Sequence, residues 1–232
     1  IQLLAQVLMT KKILSIIPAR GGSQGLPRKN ILHFSGKPLI SWTIEASLKS
    51  KYISKTIVSS DDEEILDIAN HYGAETMRRP SDLATDEASS ESVVSHAVSM
   101  LKSKKEEFDI LILLQPTSPL RTNKHIDHGF EIMFESDCDS VISVCEYDNK
   151  VLKAFKENKY GFLDGVIDNK HPFLRRQDLP KVYLPNGAIY IINIDLFCKN
   201  SSFYTNKTVK LIMNDQDSLD IDTMNDLKKY VK

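Results

Sequence analysis

The chain carries no surplus of charge of either sign. Its 30 basic and 31 acidic residues leave a formal net charge of -1 over 232 positions. No global field therefore draws the protein to nucleic acid or to an anionic membrane, and an anion has to be met by charge placed locally. Cysteine is scarce. Cys138, Cys145 and Cys198 are odd in number and show no C-x-x-C spacing, which argues against zinc and a disulfide framework and predicts reduced, buried thiols in a cytoplasmic protein. No apolar run is long enough to cross a bilayer. Residues 1–8 are apolar but too short to span one, and they lack a basic leader or a small-residue cleavage pattern. Met9 with Thr-Lys-Lys looks like a natural start, so 1–8 read as a non-native or disordered leader ahead of a single domain over 9–232.

Two familiar phosphate signatures are missing as well. There is no G-x-x-x-x-G-K-S/T, and Gly21-Gly22-Ser23-Gln24-Gly25 does not satisfy G-x-G-x-x-G. Without that turn and an acidic ribose ligand about 20 residues further on, a Rossmann dehydrogenase or binding module is excluded. Internal repeats and low-complexity blocks are absent too.

What the chain does have is one stretch, 13–30, around which the rest is organised. Ile13-Leu-Ser-Ile-Ile17 is short, apolar and rich in β-branched residues, and predicts a buried strand ended by Pro18. The loop that follows holds Gly21, Gly22 and Gly25 beside Arg20, Arg28 and Lys29. A flexible turn that offers backbone N–H groups next to cations suits a polyphosphate, although a tight surface turn with solvated charges would read the same way.

Further on, strand-like and helix-like segments alternate. Helical spacing covers 38–50 with Pro38 at its front. A β-branched run at 55–59 leads to a helix over 62–72, capped by Ser60-Asp61 and stopped by Gly73. A weak strand at 75–78, an amphipathic helix over 89–102 and the apolar strand Ile110-Leu-Ile-Leu-Leu114 come next, then a helix over 124–134. The alternation predicts an α/β fold: a mostly parallel twisted sheet with helices on both faces. The pattern breaks at 146–180, which is basic, polar and without a long apolar period. A stretch of that length inside a compact domain serves a function or packs on a partner chain. A strand resumes at 187–193.

In such sheets ligands bind outside the carboxyl ends of strands. That brings the basic glycine loop together with Gln115-Pro-Thr-Ser-Pro-Leu-Arg121, a segment that also reads as a rigid turn before the next helix. Near the end, 214–222 gathers Asp215, Asp217, Asp220 and Asp222. In an extended segment Asp220 and Asp222 point to the same side. Two carboxylates so placed repel unless a proton or cation joins them, and Mg2+ is the natural occupant. Alternatively, Asp222 with Thr223 caps a final helix over 224–231, which leaves Asp220 unexplained.

Five motifs, in order, carry a family resemblance: Ile17-Pro-Ala-Arg-Gly-Gly-Ser-Gln-Gly-Leu-Pro-Arg-Lys-Asn30, Leu83-Ala-Thr-Asp-Glu-Ala-Ser-Ser90, Leu113-Leu-Gln-Pro-Thr-Ser-Pro-Leu-Arg121, Pro185-Asn-Gly-Ala-Ile-Tyr190 and Gln216-Asp-Ser-Leu-Asp-Ile-Asp-Thr223. Together they resemble the acylneuraminate cytidylyltransferases, or CMP-sialic acid synthetases, over most of 13–232. The resemblance implies a nucleotide-diphospho-sugar transferase-like, Rossmann-like fold. The implied reaction joins CTP to a nine-carbon 2-keto sugar acid with Mg2+, releasing pyrophosphate and a CMP-sugar of the kind used in cell-surface polysaccharides.

Carried over motif by motif, the resemblance makes Arg20 and Lys29 the catalytic cations on the triphosphate. Gly21, Ser23, Asn30, Arg79 and Ser90 become further nucleotide contacts. Gln115, Tyr190, Phe203 and Tyr204 become sugar contacts, and Asp220 and Asp222 the metal ligands. It also makes 146–180 a dimerisation arm whose Lys153 and Arg176 complete the sugar site of the other subunit in a homodimer. Two positions depart from the pattern. Gln24 stands where many members carry Lys, and Leu184 where sialic-acid enzymes often have Arg, which points toward legionaminate or a related deoxy sugar acid. The alternatives are a CMP-Kdo-type synthetase and a non-catalytic sugar-nucleotide binding protein.

Overall fold

The computed structural model describes residues 11–23 and 25–230; the expectations for residues 1–8 and for Gln24 lie outside the described residues. The first strand, β1 (Ile13–Pro18), is buried on both faces, with Ile13 and Ile17 on one side and Leu14 and Ile16 on the other. The glycine loop carries it to a small pair, β2 (His33–Phe34) and β3 (Lys37–Pro38), and then to α1 (Leu39–Leu48). After these come β4 (Lys55–Ser60), α2 (Glu63–His71), β5 (Glu75–Arg78), α3 (Ser90–Ser103), β6 (Ile110–Leu113) and α4 (Asn123–Glu135). The last third of the chain holds β7 (Ser140–Tyr147), β8 (Phe155–Glu157), β9 (Leu163–Gly165), β10 (Val182–Asn193), α5 (Ile194–Asn200), β11 (Thr208–Ile212) and α6 (Met224–Tyr230).

Seven strands form the main sheet in the order β11-β7-β10-β6-β1-β4-β5. All pair in parallel except β10, which runs antiparallel to both β6 and β7. The expected mostly parallel sheet is therefore present. Ile40 and Ile44 of α1, Ile65 and Ala69 of α2 and Ile126 and Phe130 of α4 pack on one face. Val94, Ala97, Val98 and Leu101 of α3 and Phe197 of α5 pack on the other. From β1 the chain steps to β4 and β5 on one side and then returns to β6 on the other. This reversal opens a crevice at the carboxyl ends of β1 and β6, where ligands bind in sheets of this kind.

Local departures from the expected pattern have identifiable causes. The cap of α2 is Asp62, not Ser60-Asp61: its carboxylate accepts the Ile65 N–H, and the Ser60 hydroxyl instead accepts the Asp62 N–H. Gly73, with φ +90, ends that helix in the left-handed region as predicted. The strands β7 and β11, the first half of β10 and helix α5 were not apparent as periodic runs. β7 mixes serines with apolar residues, and β10 is interrupted by an irregularity between Pro185 and Tyr190. The cysteines are less buried than expected: Cys198 is exposed and Cys138 and Cys145 are partly so, all three as free thiols.

The segment between β7 and β10 lies outside the main sheet. It consists of short 3-10 turns and the β8–β9 hairpin, and its base is closed where the Asn149 side-chain amide donates to the carbonyls of Arg176 and Leu179. No helix among the described residues is long and apolar enough to cross a membrane.

Candidate active site

A cavity of 310 Å3 fills the crevice. Its walls include Pro18, Arg20, Lys29, Asn30, Arg79, Ser90, Gln115, Thr117, Asp220 and Asp222. A second cavity of 230 Å3 is walled by Ser90, Gln115, Tyr190, Phe203 and Tyr204, among others. Ser90 and Gln115 belong to both, so the two volumes are halves of one cleft.

The acidic end of the chain reaches this cleft by simple alternation. Leu219 and Ile221 turn inward onto Leu26, Phe34 and Leu39, while Asp220 and Asp222 turn outward. Burying two such side chains contributes about 1.5–3 kcal/mol each and fixes the register of the segment. Two further contacts hold it in place. The Ile221 N–H donates to the Thr117 carbonyl at 2.9 Å, and a Cβ on Gly25 would lie 2.9 Å from the Asp222 carbonyl oxygen, so only glycine lets the loop approach this closely.

Asp222 is not the cap of the last helix. Thr223 takes that position: its N–H and hydroxyl both donate to the Asp226 carboxylate, at 2.9 and 2.7 Å, and its hydroxyl faces the Asp226 N–H. Asp222 is thereby left to the cleft, where it accepts from the Lys29 ammonium at 2.7 Å. Asp220 is reached by solvent yet sits among protein atoms. Burial pushes its pKa up, Asp222 adds to the rise, and a hydrogen bond from Thr117 and the charge of Lys29 work against it.

The basic residues are likewise paired. Arg20 forms an ion pair with Asp86, and its backbone carbonyl accepts from the Asn30 side-chain amide at 3.0 Å. Arg79 is nearly buried, its Nη2 3.6 Å from Asp61 and its Nε without a partner. Burial lowers its pKa, Asp61 opposes that and nearby Arg20 reinforces it. Arg28 does not reach the cleft. Held in the left-handed region at φ 56, it binds Asp62 through both terminal nitrogens, at 2.9 and 3.2 Å, and Glu64 at 2.6 Å.

Gly21 and Ser23 are not on the cavity wall. The Gly21 N–H donates to Asp61 at 3.2 Å, and a Cβ there would come within 2.5 Å of the Asp62 carboxylate. The other half of the cleft is aromatic. Phe203 is buried against Tyr190 and Phe197, with ring centroids 5.8 and 4.9 Å apart, while Tyr204 is exposed. Burial raises the pKa of Tyr190, and Asp220 and Glu91 add to it. Lys153 and Arg176 do not line the cleft of their own chain; Arg176 instead faces Asp148 at 3.7 Å.

The pairings of several participants carry no signal in the sequence alone. Asp61 and Asp86 are surface-type acids until the fold places them on Gly21 and Arg20. The Asn186-Gly187 pair is informative in retrospect. Asn186 bridges Ser143, Ala188 and Ser218, and Gly187 at φ +76 stands where a Cβ would meet the Gln115 side-chain oxygen at 2.6 Å. Among the described residues no three His, Cys, Asp or Glu side chains gather for a metal. Two carboxylates beside the cationic side chains of the cleft nevertheless fit a hard divalent ion, which would complete its coordination with oxygen ligands such as phosphate and water.

A cytidylyltransferase family model matches residues 14–232. The chain belongs to the cytidylyltransferase family. This cytidylyltransferase is 35% identical over 218 residues to the pseudaminic acid cytidylyltransferase of Campylobacter jejuni, covering 94% of each chain. It is 37% identical over 227 residues to the CMP-N,N'-diacetyllegionaminic acid synthase of Legionella pneumophila, covering 91% of each. The N-acylneuraminate cytidylyltransferase of Streptococcus agalactiae is 36% identical over 93% of this chain, which spans 51% of that relative's length. Among solved structures, CMP:2-keto-3-deoxy-manno-octonic acid synthetase complexed with CTP superposes with a TM-score of 0.70 at 19% identity, covering 94% of this chain and 96% of that one. At that identity the likeness is one of fold.

Proposed function

We propose that this cytidylyltransferase activates a nine-carbon 2-keto sugar acid with CTP, giving the CMP-sugar and pyrophosphate. The observation that carries the reading is the two-part cleft: a basic and acidic half at the glycine loop joins an aromatic half through Ser90 and Gln115. Relatives that match nearly the whole of this chain are named for pseudaminic, legionaminic and acylneuraminic acids, whereas the Kdo enzyme shares only the fold.

In the reaction the 2-hydroxyl oxygen of the sugar acid bonds to the α-phosphorus of CTP, the bond from that phosphorus to the bridging β-phosphate oxygen breaks in line to release pyrophosphate, and the hydroxyl proton passes to solvent. Such chemistry asks for alignment and charge stabilisation rather than a covalent nucleophile. Lys29 and Arg20 neutralise the triphosphate, Lys29 acting at the crowded α-phosphate. Asn30, Arg79 and Ser90 hold the cytidine and ribose. Gln115, Tyr190, Phe203 and Tyr204 hold the sugar, with the aromatic wall facing its acyl group. Asp220 and Asp222 would hold Mg2+, which when bound would supply further neutralisation of phosphate charge.

The proposal extends to a homodimer. The arm at 146–180 exposes Phe155, Tyr160, Phe162, Leu163, Ile167 and Phe173, more apolar surface than a free hairpin favours, and carries Lys153 and Arg176 away from their own cleft. An Arg on the partner's sugar carboxylate is a suitable bidentate donor. Three free thiols accord with a cytoplasmic, reducing setting. Leu184 is exposed on β10 and is not a wall of its own chain's cleft, so any part it has in sugar choice would have to come through the partner subunit. Mass spectrometry of the products tests the reaction: a CMP-nonulosonate formed one-for-one with pyrophosphate supports it, and CTP binding without either product contradicts it. A gel-filtration mass near one chain contradicts the dimer.

A further inference from the structure

Beneath the sugar half lies Arg121, among the largest side chains buried completely in the protein. Only its Nη1 is engaged: it donates to the Gln115 carbonyl and to the Ala188 carbonyl, each at 3.2 Å, while Nε and Nη2 have no partner. No carboxylate contributes to its titration, and burial alone accounts for its lowered pKa. An isolated buried cation is unfavourable, and replacing such a group by an apolar residue of similar volume is often neutral or stabilising. Stability is therefore a poor reason for an arginine here.

The two carbonyls it grips belong to two different elements, the loop after β6 and strand β10. Gln115 ends the strand-to-loop passage after β6 and presents its side chain to both halves of the cleft. Ala188 follows Gly187, whose Cα faces the Gln115 side-chain oxygen so closely that no Cβ fits between them. One planar guanidinium thus fixes the backbone of Gln115 against the 187–188 irregularity in β10. Arg121 itself lines neither cavity, so it cannot touch a ligand there directly.

From this geometry we infer that Arg121 is a positioning residue for the sugar acid, acting through Gln115: it sets the height over Gly187 of a side chain that borders both halves, so its loss falls on sugar binding more than on CTP binding. The inference rests on the proposed reaction, because Gln115 is taken as a sugar contact. The chemistry demands a donor with two divergent N–H bonds on one nitrogen in a rigid plane, which Lys supplies only in part.

The test uses Arg121→Met and Arg121→Lys in the full chain, with steady-state pyrophosphate release measured separately against CTP and against the best nonulosonate. The expected result is a KM for the sugar acid raised about tenfold in Arg121→Met, less than the roughly 100-fold that a 1 Å misplacement can cost. The KM for CTP and the melting temperature should stay close to those of the parent, and Arg121→Lys should recover part of the loss. Equal changes in both KM values, or no change in either, would overturn the inference. If Arg121→Met does not fold, the same split is read in Arg121→Lys. Absence of turnover in the parent with every nonulosonate would instead overturn the proposed reaction, an outcome distinct from a parent that turns over and a variant that matches it.

Discussion

Lys29 and Asp222 are 193 positions apart in the chain, and the Lys29 ammonium donates to the Asp222 carboxylate at 2.7 Å. Lys29 is 14% exposed and Asp222 65%, so the pair closes the rim of the cleft over a well-buried lysine stem. In the proposed reaction the two have separate duties, one on phosphate and one on the metal. On the proposed reaction, ligand binding would exchange partners, with Lys29 passing to the triphosphate and Asp222 freed to help hold a cation. Lys29→Ala is expected to lower kcat about 100-fold or more, the scale of a lost charge-stabilising donor. A kcat within about threefold of the parent, under about 1 kcal/mol of barrier, would remove Lys29 from the mechanism.

Asp86 occupies Arg20 in a similar way. The pair is partly exposed, so its strength is modest, and Asp86→Asn is expected to tighten CTP binding about two- to fivefold at low salt. The gain should shrink as salt screens the competing carboxylate. Calorimetric titration of CTP at two ionic strengths checks this; weaker binding in the variant would show that Asp86 supports Arg20 rather than competing with phosphate.

How far the sequence reveals this arrangement depends on the range of the interactions involved. β1, β4, β5 and β6 and the helices between them follow from short-range periodicity, as do the two loops at the ends of β1 and β6. Asp220 and Asp222 follow from alternation about Leu219 and Ile221. The partners of the cations do not follow, because Lys29–Asp222, Arg20–Asp86 and Gly21–Asp61 are set by which strands neighbour one another. Arg121 is likewise indistinguishable from any loop cation until its burial is known. Arg28 shows the converse: it looks like a phosphate ligand beside three glycines, yet the left-handed turn aims it at Asp62 and Glu64.

Asp62 links local stability to pH. Burial pushes its pKa up, but the Arg28 hydrogen bond and the Ile65 N–H more than offset this and leave it below the ordinary carboxylate value. A depressed folded-state pKa gives stability that is present above the ordinary carboxylate range and is lost as pH falls through the lower folded value. Asp62→Ala, which also removes the cap of α2, should cost about 1 kcal/mol or more at neutral pH. Melting curves of parent and variant should therefore converge in acid. A gap that stays constant from neutral pH to pH about 2 would contradict the linkage.

Gly187→Ala probes the sugar half from the β10 side. At φ +76 the new Cβ is strained, and it would meet the Gln115 side-chain oxygen at 2.6 Å. A penalty of about 1 kcal/mol is expected in stability, since L-residues disfavour that region. The kinetic signature should be a raised KM for the sugar acid with the KM for CTP unchanged. An effect confined to CTP would show that Gln115 serves the nucleotide rather than the sugar acid.

The central claim is the reaction itself, and pyrophosphate release tests it most directly. Purified protein would be supplied with CTP and Mg2+ alongside N-acetylneuraminic, legionaminic, pseudaminic and Kdo acids, each with a chelator control. The account predicts chelator-sensitive release with at least one of the nine-carbon acids and little with Kdo. Folded protein that binds CTP yet releases no pyrophosphate with any of the nine-carbon acids would contradict it.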